Sequence, residues 1–210
     1  MLPNLALSPI GLGLAALGRP GYINLGHGED LRGQTEVDAM ERNAHEVLDA
    51  ALDGGVRYFD AARSYGKAEA FLASWLDRRV LSPGEVTVGS KWGYTYTADW
   101  RVDAEVHEVK EHSAAVLERQ WRKSSGHLGG YLKVYQIHSA SFDSSVLDNQ
   151  KVLDELARLK RAGIVIGLIE LYAGATLPDG FKDTAPYIVL LIMLAVRPQG
   201  LFGTMARKKV

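Results

Sequence analysis

Cysteine is absent from the 210 residues of this chain. Its absence excludes disulfides, thiolate metal ligands and thiol nucleophiles together, and it is typical of proteins from a reducing compartment. An excess of charge of one sign is also missing, because 24 Lys and Arg residues stand against 25 Asp and Glu residues and give a formal net charge of -1. This balance gives no electrostatic reason to expect nucleic acid as a partner.

Long apolar runs are scarce as well. The N-terminus has no basic segment followed by an apolar core, so no secretory signal is predicted and we expect a cytoplasmic protein. Residues 184–196 are thirteen uncharged residues, fewer than the roughly 20 of a membrane-spanning helix. Basic residues follow this stretch on one side only, so a buried helix and association with a membrane both stay open for residues 184–210.

What the chain does contain is an alternation of strand and helix patterns. Apolar residues at steps of three and four predict a helix over residues 36–53, capped by Thr35. Apolar positions also predict helices over residues 67–79, 104–122 and 152–161, and their spacing over 104–122 is less regular than in the first helix. Short apolar runs predict a first strand within the glycine-rich segment 5–18 and further strands over residues 56–59, 86–90, 132–137 and 164–169. This order is typical of parallel βαβ units and predicts an α/β fold.

Polar residues follow the ends of three of the predicted strands. Asp60, Lys91 and His138 each come just after a different strand, and an α/β barrel assembles its active site at the carboxyl ends of its strands. Tyr65 lies in the loop that follows Asp60. Taken singly, these residues are ordinary turn formers, solvated charges or packing groups. Their coincidence at one edge of the sheet predicts a single site.

The four side chains suit proton delivery to an oxygen atom. A phenol with an unperturbed pKa of about 10 is a poor acid at neutral pH, but a nearby ammonium favours the phenolate and a carboxylate holds the ammonium in place. Tyr65, Lys91 and Asp60 supply these groups, and His138 can orient a carbonyl oxygen as a hydrogen-bond donor. Because no side chain donates hydride, reduction of the carbonyl requires a nicotinamide cofactor. No metal site is predicted.

Three motifs in this order resemble the aldo-keto reductase family: FDAARSYG at 59–66, SKWGY at 90–94 and QIHS at 136–139. The resemblance covers residues 5–168. It implies a (β/α)8 barrel that reduces an aldehyde or ketone to an alcohol with NADPH.

The resemblance also implies a role for each residue of the site. Tyr65 would be the proton donor, Lys91 and Asp60 its activating pair, and His138 the residue that orients the substrate. Trp92 would line the substrate pocket.

The chain departs from the family pattern after residue 168. Only about five of eight βα units are predicted, and a full barrel typically needs about 250 residues. Ile169-Glu170 stand where the family usually has Ser and Asn against the nicotinamide, and the segment that binds the adenosine phosphate has no counterpart, so the cofactor-binding residues are unknown.

The segment that follows resembles the end of branched-chain amino acid ABC transporter permeases, through the motif RPQGLFG at 197–203. We therefore divide the chain into an incomplete barrel at 1–168, a junction at 169–183, and an apolar helix with a basic tail at 184–210.

Three interpretations stay open at this point. The chain is an NADPH-dependent reductase of a small carbonyl compound, impaired by truncation; a non-catalytic product of fusion or truncation; or a membrane-associated fragment. A partial barrel also leaves sheet edges exposed, which predicts self-association.

Overall fold

The computed structural model of this chain describes residues 5–21, 33–141 and 144–168. Seven strands occur there, and all bounds are given in chain order: β1 Gly11–Gly13, β2 Tyr58–Asp60, β3 Thr87–Trp92, β4 Tyr94–Tyr96, β5 Glu108–Lys110, β6 Leu132–Ile137 and β7 Val165–Leu168. Four α-helices lie between them, α1 Val37–Asp53, α2 Ala68–Arg79, α3 Ala114–Leu128 and α4 Gln150–Arg161, with a 3-10 turn at Gly129–Tyr131.

Five of the strands form one parallel sheet in the order β1-β2-β3-β6-β7. A helix lies between each strand and the next along the chain, and neighbours in the chain are neighbours in the sheet. These are successive βα units, as in part of a barrel. The predictions of an α/β fold and of five parallel strands are confirmed.

Helices α1 and α2 pack apolar side chains against one face of the sheet. The buried residues of α1 recur every four positions, at Met40, Ala44, Leu48 and Leu52, which places them on a single side of the helix. From α2, Trp75 packs its ring 5.2 Å from that of Phe59 on β2. The core thus lies between the helices and this outer face, and the opposite, inner face is left for polar residues.

The predicted helix over residues 104–122 is wrong in its first half. Residues 108–110 form β5, which pairs antiparallel with β4. Val106 and Val109, two of the apolar positions in the predicted helix, are 56% and 48% exposed. The helix begins only at Ala114, where the Ser113 hydroxyl accepts a hydrogen bond from the Val116 amide at 3.3 Å. A good N-cap outweighed an irregular apolar pattern.

The predicted cap of α1 was also wrong. Glu36 occupies the N-cap position and its side chain makes no capping hydrogen bond. The Thr35 carbonyl instead accepts a hydrogen bond from the Trp100 indole N–H at 2.7 Å.

The register between β3 and β6 shifts once. Val88 pairs with Leu132 and the next pair is Gly89 with Val134, so Lys133 has no partner on β3. Beyond this bulge Lys91 pairs with Gln136. The two residues therefore share the inner face of the sheet.

Residues 169–210 lie outside the described residues. The predicted apolar C-terminal helix, the junction, the permease-like segment and the domain boundaries that depend on them remain predictions. Within the described ranges, no helix combines the length and the apolar character needed to cross a membrane.

Candidate active site

Asp60 is the last residue of β2 and lies one strand away from Lys91 on β3. Because strands alternate their faces, Asp60 and Lys91 both point to the inner face, and the Lys91 ammonium donates to Asp60 Oδ2. Both residues had been expected just past a strand. The structure corrects this, since Asp60 ends β2 and Lys91 lies inside β3, which runs two residues further than predicted.

Two more side chains orient the Asp60 carboxylate. The Gln136 amide donates to Asp60 Oδ1 at 3.1 Å, and the Tyr58 hydroxyl donates to the same atom at 3.3 Å. Burial, and then the Asp60 charge, raise the pKa of Tyr58 well above its ordinary value, so that it stays protonated as a donor. With Lys91, these bonds engage both carboxylate oxygens.

Lys91 is also close to Tyr65. Its Nζ lies 5.1 Å from the centre of the Tyr65 ring and donates a further hydrogen bond to the Ala61 carbonyl at 3.3 Å. The Lys91 side chain is only 12% exposed. An ammonium thus lies between a carboxylate and a phenol in a largely dehydrated position, where electrostatic interactions are stronger than in water.

Backbone contacts hold the loop that carries Tyr65. The Ala61 amide donates to the Gly89 carbonyl at 2.9 Å and the Arg63 amide to the Lys91 carbonyl at 3.0 Å, which extends the β2–β3 pairing into the loop. Gly66 turns the chain with φ +59°, and a Cβ there would lie 2.3 Å from the Gly18 carbonyl oxygen. Only glycine fits this position, because both the conformation and the space exclude a side chain.

His138 follows β6, as predicted, and its amide donates to the Trp92 carbonyl at 2.9 Å. Its ring meets Tyr65 edge-on with centres 5.7 Å apart and packs against Tyr94 at 4.8 Å. The Ser64 hydroxyl lies 3.5 Å from its Nδ1.

Burial, and then the positive charges of Lys91 and Arg19, lower the pKa of His138 to about 4. The imidazole is therefore neutral at pH 7 and carries one N–H. It can donate one hydrogen bond without adding a charge to the site.

The structure thus brings together Asp60, Lys91, Tyr65 and His138, the four residues that the sequence predicts at one edge. Trp92 lies elsewhere. It alternates with Lys91 along β3, is fully buried within the core, and meets the His112 ring at 5.5 Å. Its role in a substrate pocket stays a prediction.

Three residues of the site were not predicted from the sequence. Gln136 and Tyr58 lie two residues before His138 and Asp60 respectively, a spacing that places them on the same face of their strands; this signal was available. For Arg19, which is 2% exposed and donates to the Ser64 carbonyl at 3.1 Å, no strand spacing could have indicated the contact.

An open cleft of about 360 Å³ lies beside His112. Its lining residues are Lys110, Glu111, His112, Ser141 and Ser144. His112 links the cleft to the site, because its Nε2–H donates to the His138 carbonyl at 2.9 Å. Burial lowers the pKa of His112, which keeps it neutral.

A nicotinamide dinucleotide needs donors for its phosphates, and the cationic and amide groups of this site are already engaged with protein. Lys91 and Gln136 bind Asp60, and Arg19 binds Glu108 and Ser64. The described residues therefore bring a carboxylate, an ammonium, a phenol and an imidazole together, and these groups are not the ones that would hold the phosphates of a dinucleotide. Within the same ranges, no cluster of three or more His, Asp or Glu residues could hold a metal ion.

Comparison with known proteins identifies the class to which this fold and site belong. The model of the aldo/keto reductase family matches residues 9–168, which is most of the chain. The chain belongs to the aldo/keto reductase family.

The chain is similar to proteins that are longer than the segment they share with it. It is 30% identical to aldo-keto reductase str7 of Strobilurus tenacellus over 108 residues, which is 51% of this chain and 27% of that protein. The crystal structure of PA4992 from Pseudomonas aeruginosa, a proposed aldo-keto reductase, is 28% identical with a TM-score of 0.57, covering 78% of this chain and 56% of that one.

A more distant structure shares the fold. Glycerol dehydrogenase AKR11B4 from Gluconobacter oxydans is 19% identical with a TM-score of 0.55, covering 80% of this chain and 47% of that one. The chain thus spans about half the length of the solved structures that it matches.

Proposed function

We propose that this chain carries the proton-donating half of an aldo-keto reductase site and acts as an NADPH-dependent oxidoreductase on a small aldehyde or ketone. The observation that carries the proposal is the position of Lys91, which binds the Asp60 carboxylate and lies 5.1 Å from the Tyr65 ring. Membership of the family and the resemblance of the three sequence motifs support the same reading.

In this proposal Tyr65 gives its hydroxyl proton to the carbonyl oxygen of the substrate, and the electron pair of the broken O–H bond stays on the phenolate. Lys91 stabilises that phenolate, and Asp60 holds the Lys91 side chain in place. The neutral His138 donates its single N–H to the same carbonyl oxygen and orients it. NADPH supplies the hydride when bound.

The experiment compares Tyr65→Phe with Tyr131→Phe in the full chain. Reduction of a panel of small aldehydes and ketones is followed through the absorbance of NADPH. Loss of the proton donor should lower turnover by about 10²- to 10⁴-fold. Tyr131 donates its hydroxyl to the Leu81 carbonyl, on a turn that precedes β6, so its variant should keep the wild-type rate. Equal rates for the two variants would show that the proton comes from another group.

The second candidate is a non-catalytic product of fusion or truncation. Such a chain keeps the four residues of the site but does not turn over a substrate. It is favoured by the contacts of Lys91, Gln136 and Arg19, which are engaged with protein groups rather than placed for the phosphates of a dinucleotide. Titration of the tryptophan fluorescence with NADPH separates the two. Saturable quenching supports the reductase, and no change up to millimolar NADPH supports the non-catalytic chain.

The proposal for partners follows from the sheet. Within the described ranges β1 and β7 are its outer strands, so a second copy could pair along either edge.

Residues 184–210 are proposed as the segment for membrane association, with cytoplasmic location as the other outcome. Sedimentation with and without vesicles, for the full chain and for a chain ending at residue 183, tests both.

A further inference from the structure

Arg19 is a buried cation at the edge of the candidate site. It lies in the loop after β1, is 2% exposed, and donates from Nη1 to the Ser64 carbonyl at 3.1 Å. The same atom lies 3.1 Å from Glu108 Oε2 on β5. Arg19 therefore connects the loop after β2 to the β4–β5 pair.

The same guanidinium lies beside the phenol. Its central carbon is 5.7 Å from the centre of the Tyr65 ring, and Lys91 Nζ is 5.1 Å from it. Two positive charges thus flank one ring. In the part of the chain that the structure describes, His138 also meets the ring edge-on at 5.7 Å, Asp60 lies behind Lys91, and Glu108 lies behind Arg19.

We propose that Arg19 is a positioning residue for Tyr65, which holds the preceding residue through its carbonyl and places a second positive charge beside the phenol. This inference rests on the proposed function. When the Tyr65 O–H bond breaks and the proton passes to the substrate oxygen, the phenolate that remains is stabilised by Arg19 as well as by Lys91.

Glu108 sets the strength of this effect. Its carboxylate faces the guanidinium and is 22% exposed, so it offsets part of the positive charge that Tyr65 experiences. Removing Arg19 and removing the charge of Glu108 should therefore act on Tyr65 in opposite directions. A purely structural role for the pair predicts the same direction for both, because each change breaks the same contact.

The test measures ionisation of Tyr65 directly, without substrate or cofactor. The ultraviolet absorbance of tyrosinate is followed against pH in each variant and in the same variant with Tyr65→Phe, and the difference isolates this phenol. Arg19→Gln should raise the pH of half-ionisation by about one unit. Glu108→Gln should lower it, and Arg19→Lys should return it most of the way to wild type.

Arg122→Gln is the matched control, since Arg122 is an arginine on α3 whose side chain is 73% exposed. It should leave the titration unchanged. Shifts of the same sign in Arg19→Gln and Glu108→Gln, or no shift in either, would overturn the proposal. If Arg19→Gln fails to fold, the downward shift in Glu108→Gln still decides the question, because its absence is incompatible with a charge effect.

Turnover gives a separate readout. Arg19→Gln should reduce kcat about tenfold with KM little changed, and Arg19→Lys should restore most of the loss. If the wild-type chain shows no NADPH oxidation, the proposed function fails while the titration still reports on Arg19. If turnover is present and Tyr65 titrates identically in all variants, the inference about Arg19 alone is wrong.

Discussion

Lys91–Asp60 and Arg63–Glu69 are two ion pairs on opposite faces of one sheet, and the Arg63 amide joins them by its 3.0 Å bond to the Lys91 carbonyl. On the helix side, Glu69 is 2% exposed and also accepts hydrogen bonds from Ser90 and Ser124 at 2.6 Å each. On the inner side, the Asp60 and Lys91 side chains are 21% and 12% exposed.

The two pairs differ in the groups that surround each cation. Arg63 pairs with a carboxylate that is enclosed between α2, β3 and α3, which ties two helices to the sheet. Lys91 keeps a phenol ring within 5.1 Å as well as its carboxylate. We propose that the Arg63–Glu69 pair serves stability and that the Lys91–Asp60 pair serves the proposed proton transfer, and variants of the two pairs should separate along that line.

The largest effect is expected from Glu69→Ala. Removal of this carboxylate leaves the Arg63 guanidinium and two hydroxyls without their acceptor in the interior, and breaking a buried pair in this way costs about 3–5 kcal/mol. Urea unfolding followed by far-ultraviolet circular dichroism measures the loss.

Glu118→Ala is the control, because Glu118 is 65% exposed and faces Arg122 at 3.9 Å; its loss should be below about 1 kcal/mol. Should Glu69→Ala not fold, Ser124→Ala removes a single donor to the carboxylate and should cost about 1.5–3 kcal/mol. Equal stability of the Glu69 and Glu118 variants would contradict the stabilising role of the Arg63–Glu69 pair.

The next effect is the pH dependence that His138 gives to stability. Its pKa is about 4 in the folded chain and about 6.5 when unfolded, so the unfolded state binds the extra proton first. Stability is then fully present above pH 6.5 and falls as the pH drops towards 4, by about 3 kcal/mol. Urea unfolding at a series of pH values measures this slope.

His138→Asn should lose that part of the slope, whereas His127→Asn, on the exposed end of α3, should keep it. This comparison of the two histidine variants tests whether the inner face of the sheet holds His138 neutral at a cost in stability at low pH. An unchanged slope in His138→Asn would show that other groups control unfolding in acid.

The smallest effect on stability is expected from Asp60→Asn. The amide keeps an acceptor for Gln136, and the Asp60 side chain is 21% exposed, so the cost should be about 1–2 kcal/mol. Urea unfolding of Asp60→Asn and Glu69→Ala, measured in parallel, compares the free energy of unfolding lost on each face of the sheet. A loss of stability as large as that of Glu69→Ala would show that the Lys91–Asp60 pair is as important for stability as the Arg63–Glu69 pair.

The sequence predicted the parallel sheet and the meeting of Asp60, Lys91, Tyr65 and His138, because strand ends of successive βα units converge whatever the details of the helices. It did not predict the β4–β5 pair. Valines at 106 and 109 suit a strand as well as a helix, and only the pairing partner decides between them.

Arg19 was missed for a different physical reason. Its contacts join residues 45 and 89 positions apart in the chain, and no periodic pattern encodes a contact between two loops. Glu69 was missed although it lies on a well predicted helix, because a carboxylate on the apolar side of α2 needs partners from β3 and α3 to be stable there. Both are properties of the assembled sheet and helices.

Lys133, which has no partner on β3, has a consequence for the site three residues further on, at Gln136. Each residue added to or removed from a strand inverts the side to which all later residues point. Without this one-residue offset, Tyr135 would face the Asp60 carboxylate, and Gln136 would turn towards Trp121 and the helices. The one-residue offset at Lys133 therefore places the Gln136 amide on the inner face of β6, where it can bind the Asp60 carboxylate. Lys133 itself pairs with no residue of β3.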